Sequence, residues 1–314
     1  MATGEFKTTT PVVLLLFNRP ALTRAVVSAL LDVSPMSVYL VADGPRPGSS
    51  EDVELCRQVR EIVQTAPWPG SVKTNFAEEN LGLKKRVSSG LDWVFSFEEE
   101  AIIVEDDCLP DPSFFPFAAE LLEKYRGDDR VGIVSGNNFL WGSKVSQDSY
   151  FFTPDTRIWG WATWARVWKD FSQNGLTKTR SHDEVASLIA RVPASTRRQA
   201  LRFTQKMGSH NSWAFPFLLH SLECGLVHAA PKTNLVQNVG FGGRSTHTSF
   251  ESFTADPPVE PLHFPLSHPS GVAVPEKLGA IESRAHRRRQ LSFPLLHPVD
   301  FLRRVFRYLR GRTL

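Results

Sequence analysis

Five short apolar runs punctuate the first 136 residues, and each is separated from the next by a stretch of roughly helix length. The runs are PVVLLLF (11–17), SVYLVAD (37–43), SVKTNFA (71–77), AIIVE (101–105) and VGIVSG (131–136). They show little polar alternation, the pattern of strands covered on both faces. The segments between them, 20–31, 50–65, 82–97 and 112–126, repeat apolar residues near the 3.6-residue period, as in Val53, Val59, Ile62 and Val63. Strand and helix alternating in this order predict an α/β fold with a mostly parallel central sheet flanked by helices. A sheet of that kind binds ligands outside the carboxyl ends of its strands. The residues that follow each run are therefore the first place to look for chemistry.

Beyond residue 150 the texture becomes aromatic-rich, with helices expected over 160–171, 183–206 and 212–224. Proline and polar residues over 249–281 predict an irregular loop. The last segment, VDFLRRVFRYLRGRTL, spaces Phe301, Leu302, Val305, Phe306 and Leu309 along one side of a helix, with Arg303, Arg304, Arg307 and Arg310 mostly around the rest. The chain thus divides into a main domain over 1–250, with halves at 11–136 and 150–250, and an extension over 251–314. At 314 residues, with 41% hydrophobic and 22% charged residues, it has the composition of a globular protein able to bury a sizeable core.

The formal charge of +3 hides an asymmetry, since nine of the arginines lie in 281–314 against only Glu282 and Asp300. Basic character is a property of the tail, no nucleic-acid motif accompanies it, and nucleic acid is not an expected partner. Segment 299–312 could contact an anionic membrane surface, where each basic residue is worth about 1 kcal/mol, or it could dock on its own domain or on a partner. The apolar run near the N-terminus is too short for a signal peptide or a membrane span, so the expectation is a cytoplasmic protein, with a peripheral position at the inner face of the membrane as an option. Cys56, Cys108 and Cys224 are odd in number and lack paired metal-type spacing, which argues against structural disulfides and against zinc.

The fourth run ends in three carboxylates, Glu105, Asp106 and Asp107. Unpaired charge at the end of a buried strand costs at least several kcal/mol, so something cationic should meet it. Clustered hard oxygen donors suit Mg2+ or Mn2+; the alternative is that Glu105 or Asp106 caps the following helix or pairs with an arginine. The first run exits into Asn18 and Arg19, a planar fork suited to phosphate, and the second into Asp43, which is either a nucleotide contact or part of a plain Asp-Gly-Pro turn. Lys84, Lys85 and Arg86 stand near an expected helix start, where the dipole favours anions, though a solvated face explains the two lysines equally well. Neither the glycine signature of a dinucleotide fold nor a P-loop occurs.

Taken in order, these segments resemble the nucleotide-sugar glycosyltransferases of the GT-A fold, and within them relatives of N-acetylglucosaminyltransferase I. LLLFNRP resembles that family's first strand ending in an arginine, VADGP its second strand ending in a nucleotide-contacting aspartate, IIVEDD its VVEDD motif, and VSGNN the segment that follows. WGWATWARVWKDF is similar to its acceptor-side helix, and NVGFGGRSTHTSF to a terminal loop followed by a histidine. The likeness covers about 11–250, and of its motifs the EDD context is the specific one. It implies a GT-A domain over 1–250 that transfers a sugar, from a UDP-sugar by preference, to a saccharide acceptor.

On this resemblance Asp107 ligates Mn2+ or Mg2+ on the donor diphosphate, while Glu105 and Asp106 contact donor sugar or ribose or orient the metal's waters. Arg19 and Asp43 match the family's nucleotide positions, and Asn18, Lys84 and Arg86, read from their own places in the chain, are the further donor-binding candidates. His247 either joins the metal shell or hydrogen-bonds to backbone, and Gly240, Gly242 and Gly243 let its loop close. Trp161, Trp164 and Trp168 would share one helical face, the mark of a core, whereas Trp159 and Trp161 at the helix start are the acceptor-side candidates together with Gly242. One departure stands out: where the family carries its basic aspartate, this chain has Ala214 and Phe215 after Trp213. Asp155, Asp183 or Glu223 substitutes, or the reaction retains configuration. The competing readings are a noncatalytic nucleotide-sugar or glycan-binding protein and a sugar nucleotidyltransferase, the latter disfavoured by the absence of a glycine-rich loop after the first strand.

Overall fold

The structure is a computed structural model that describes residues 8–192, 197, 212–240 and 257–296. Eight strands form one sheet: β1 (Val12–Leu16), β2 (Ser37–Ala42), β3 (Ser71–Phe76), β4 (Glu100–Glu105), β6 (Val131–Ser135), β7 (Tyr150–Thr153), β8 (Trp161–Trp164) and β9 (Val227–Pro231). Their order across the sheet is β3-β2-β1-β4-β8-β6-β9-β7. The β1–β2, β2–β3, β1–β4 and β6–β9 pairs are parallel, while β8 runs antiparallel between β4 and β6 and β7 antiparallel to β9. A small ribbon pairs β5 (Cys108–Pro110) with β10 (Val236–Asn238). The mixed α/β architecture with a large, mostly parallel sheet flanked by helices is the one expected.

Helices α1 (Pro20–Leu31), α2 (Ser50–Thr65), α3 (Leu83–Val94) and α4 (Phe114–Lys124) fill the intervals between the first strands. Proline at the first position of α1 costs no hydrogen bond there, and Ser49 caps α2 by accepting from the Asp52 N–H. The core lies between sheet and helices: every residue of β1 is buried, as are Val26 and Leu30 of α1 and Val59 and Val63 of α2. β3 departs from the two-sided burial expected of it. It is an exposed edge strand, its free side guarded by Lys73, which lies over Phe97.

The second half corrects the expected helix at 160–171. Residues 161–164 form β8, followed by α5 (Ala165–Asp170) and a π turn, Phe171–Gly175. The tryptophans therefore do not share a helical face. Trp161 is fully buried and stacked on Trp213 at 5.5 Å, and Trp164 donates its indole N–H to the Leu122 carbonyl. Then come α6 (His182–Ile189), shorter in the described residues than expected, α7 (Ala214–Glu223), and α8 (Leu278–Leu296), a helix starting inside the expected loop. Among the described residues all three cysteines are free, and no helix is long and apolar enough to cross a membrane. Segment 299–312 lies outside the described residues.

Candidate active site at the carboxyl edge of the sheet

Parallel pairing brings the ends of β1, β2 and β4 to one edge, with Leu15 level with Glu105 and Leu16 level with Ala42. Glu105, Asp106, Asp107, Asn18, Arg19 and Asp43 thus come to one edge of the sheet, and Trp159 lies two residues before Trp161, which pairs with Ile103 of β4 and Ser135 of β6.

Arg19, at the start of α1, reaches the acids. Its Nη1 donates to Asp107 Oδ2 at 2.5 Å and lies 3.5 Å from Asp106 Oδ1, while the Phe17 N–H donates to Asp106 Oδ2 at 3.1 Å. Asp106 and Asp107 thus share one guanidinium, and Glu105 lies within its electrostatic reach. Burial and then repulsion from its neighbours push Glu105 up to about 8, and the same causes push Asp106 up to about 7. Arginine pairing was one of the alternatives for this triplet, and Asp106 and Asp107 do pair with Arg19.

The loop after β10 closes on the same point. The Val239 N–H donates to the Asp107 carbonyl at 2.8 Å, and a Cβ at Gly240 would collide with the Asp107 carboxylate, so only glycine fits. The loop holding Gly242 and His247 therefore begins at Asp107, although both residues lie outside the described residues.

Several donor-side residues play parts other than direct contact. Asp43 is buried and accepts from Asn80 Nδ2 and from the Gly44, Leu81 and Gly82 N–H groups at 2.8 to 3.1 Å. Its lone pairs are committed to the loop leading into α3, so it ties that loop to the end of β2 and has little left for a ligand. Arg86 is likewise buried, donating to the Asn75 carbonyl and side chain at 3.0 and 2.9 Å, and desolvation lowers its pKa. It is a strut in the core and does not face phosphate. Lys84 is half-buried and Lys85 exposed in the first turn of α3, as expected for that helix start.

Two residues of this edge were missed. Asn18 Nδ2 donates to Asp52 Oδ1 at 2.7 Å, and buried Asp52 also takes the Arg46 guanidinium at 2.5 and 2.8 Å. That pairing, with the Asn18 bond, holds Asp52 down at about 2. The Arg46 side chain is 55% exposed at the rim, over the Phe17 ring. The signal was an arginine three residues after the second strand's terminal aspartate.

On the acceptor side, partly exposed Trp159 lies edge-on to Phe139 at 5.2 Å, and its N–H is fixed by Asn137 Oδ1 at 2.9 Å. Trp161 is sealed in the core, so no sugar stacks on it. Of the proposed bases, Glu223 is paired with Lys178 and Arg180 at the far end of α7 from Trp213, and Asp183 is exposed in the first turn of α6. Asp155 stands 3.7 Å from Arg157, on the loop leading to Trp159.

No family model and no curated protein matches the chain. Solved structures that align with it include a mannosyltransferase from Pyrobaculum calidifontis in complex with GDP-Man and Mn2+, 16% identical over 69% of each chain with a TM-score of 0.40. Others are an apo UDP-glucose pyrophosphorylase, 9% identical over 74% of this chain and 93% of that one at 0.41, and the inositol-1-phosphate CTP transferase from T. maritima, 9% identical over 72% and 86% at 0.34. Likeness this loose leaves the architecture resting on the chain's own strand order and the chemistry on its own sheet edge.

Proposed function

We propose that the chain is a metal-dependent glycosyltransferase that moves a sugar from a nucleoside-diphosphate donor, UDP by the resemblance, to a saccharide or glycoconjugate hydroxyl. One observation carries this reading: at the carboxyl edge Glu105, Asp106 and Asp107 face the single guanidinium of Arg19. Fully ionised, that set keeps two negative charges, which one divalent cation balances, and its donors are all oxygen. The residues present therefore fit Mn2+ or Mg2+, with Asp107 as the ligand and Glu105 and Asp106 turning its waters or meeting ribose and donor sugar.

When bound, the ion would neutralise the diphosphate as it leaves. Arg19, released from Asp107, would turn its fork to the diphosphate, and Arg46 would add a second guanidinium at the rim. Asn18, held by Asp52, and the loop that Asp43 ties down would shape the nucleotide side, with Lys84 at the α3 start. Gly240 would admit the loop that carries Gly242 and His247. Trp159 beside Phe139 would offer a ring face to the acceptor, and Asp155, on the segment between β7 and Trp159, remains the candidate proton acceptor.

The test is a screen of nucleoside-diphosphate sugars for Mn2+-dependent hydrolysis, with Asp107→Asn as control. Loss of turnover in the variant supports the reading. Nucleoside triphosphate and sugar 1-phosphate formed from the sugar donor only when pyrophosphate is added would instead indicate nucleotidyl transfer, and donor binding with no turnover a binding protein.

A further inference from the structure

We propose that Asp170, His220 and Cys224 form a second metal site, for a borderline transition-metal dication such as Zn2+, separate from the carboxylate edge. The three offer one ligand atom each, all within 4.8 Å of one another. This inference stands independently of the proposed glycosyl transfer.

The fold builds the cluster from two elements. His220 and Cys224 are four residues apart on α7 and its cap, so they share a face. Asp170 ends α5, where the chain widens into the π turn and the Leu176 N–H donates to the Phe171 carbonyl at 2.9 Å. π turns of this kind recur at functional sites. Asn174 Nδ2 donates to Asp170 Oδ1 at 2.7 Å, which turns Oδ2 toward His220 Nε2 at 2.8 Å. Fixing one carboxylate oxygen so that the other faces inward is how metal ligands are commonly oriented. The imidazole is 4% exposed, and it fits only because residue 175 is glycine: a Cβ there would lie 2.6 Å from its Cγ.

Convergence on one atom separates this arrangement from a nucleophile relay. Cys224 Sγ lies 3.7 Å from His220 Nε2 and 4.0 Å from Asp170 Oδ2. In a Cys–His–Asp relay the thiol and the acid take opposite ring nitrogens. Here both approach Nε2, as ligands around an ion do. Zinc bond lengths in a tetrahedral shell place neighbouring donor atoms about 3.3 to 3.6 Å apart. The observed edges of 2.8, 3.7 and 4.0 Å straddle that range. Asp170 and Cys224 are exposed, so the fourth position opens to water.

Thiolate with imidazole selects zinc-like ions over Mn2+ and Mg2+, which the oxygen-only edge prefers. Cysteine spacing argued against zinc because it looks for paired cysteines; here one cysteine is joined by a histidine on its own helix and an aspartate 50 residues before that histidine. A dication there would clamp the π turn to α7, beneath the Trp168, Phe171 and Phe217 cluster.

The test uses the full chain, stripped with a chelator, in wild-type and Asp107→Asn forms so that the carboxylate edge is silenced in one. Zn2+ is titrated against a chromophoric chelator, and Co2+ reports thiolate ligation by its charge-transfer band. The expected result is a Cys224-dependent band and a Zn2+ affinity that falls roughly tenfold or more in Cys224→Ser and in Asp170→Asn, both exposed positions. Zn2+ should also raise the thermal midpoint of Asp107→Asn but not of Asp107→Asn with Cys224→Ser. A missing cobalt–thiolate band, or one that survives Cys224→Ser and so belongs to Cys108 beside Asp107, overturns the proposal, as does Zn2+ binding indifferent to Cys224.

Discussion

Arg19 Nη1 lies 2.5 Å from Asp107 Oδ2, joining residues 88 positions apart. The pair exists because β1 and β4 are parallel neighbours, so the start of α1 and the acids after β4 emerge side by side. A fixed cation in that place stabilises the acids. On the proposed reading, Arg19 would turn to the donor phosphates when an ion takes its place beside Asp107.

Removing that competitor should show in the metal affinity itself. Arg19→Ala is expected to bind Mn2+ about tenfold more tightly than wild type in the absence of nucleotide, a gain of about 1.4 kcal/mol. With a nucleoside diphosphate present the gain should vanish or reverse. Calorimetric titrations with and without nucleotide measure both arms, and an affinity for Mn2+ that is unchanged in both would separate Arg19 from the site.

Gly240→Ala places a methyl group against the Asp107 carboxylate. The expected outcome is loss of metal-dependent donor binding with little change in global unfolding, since the residue sits at the sheet edge and not in the core. Thermal unfolding and donor binding, measured on the same preparation, check the split.

Arg157 and Glu282 form an ion pair with both side chains nearly buried, and the Arg157 guanidinium lies over the Phe139 and Phe151 rings. This pair fastens α8 to the strand-bearing body. Glu282→Ala leaves the buried guanidinium with only Asp155, 3.7 Å from its Nε, and should cost about 3 kcal/mol in denaturant unfolding. Replacing both partners with apolar residues should cost less than Glu282→Ala alone.

His228 is fully buried, and burial, aided by the positive charge of Arg157, lowers its pKa from 6.5 to about 3. The folded chain keeps this ring neutral while the unfolded chain protonates it below about 6.5. Stability from this group is therefore present above that pH and lost as pH falls toward 3. The slope at pH 4 to 6 should be shallower in His228→Leu by up to about 1.4 kcal/mol per pH unit. Parallel denaturant series at several pH values measure it.

Much of this fold could be read from the chain because buried parallel strands announce themselves. PVVLLLF and AIIVE became β1 and β4, and helices 20–31 and 50–65 fell where their periodicity put them. WATW defeated the same reading: a short strand buried on both faces has no alternation, and tryptophans three and four apart imitate a helix. The acids and Arg19 were legible as candidates, but their mutual pairing was not, since nothing local specifies a contact across 88 positions. Asp43 and Arg86 carried the right charge in the right place and turned inward because neighbouring loop backbone needed hydrogen-bond partners. Asp52, buried at the start of α2, gave no signal beyond an acidic first turn.

The most direct measurement is calorimetric binding of UDP, alone and with Mn2+, to wild type and to Asp107→Asn. Wild type should bind UDP appreciably only with Mn2+, and Asp107→Asn should lose that metal-dependent binding while its unfolding transition stays cooperative. UDP binding of equal strength in both proteins, or in wild type with and without Mn2+, would contradict the assignment of the carboxylate edge as a metal–diphosphate site.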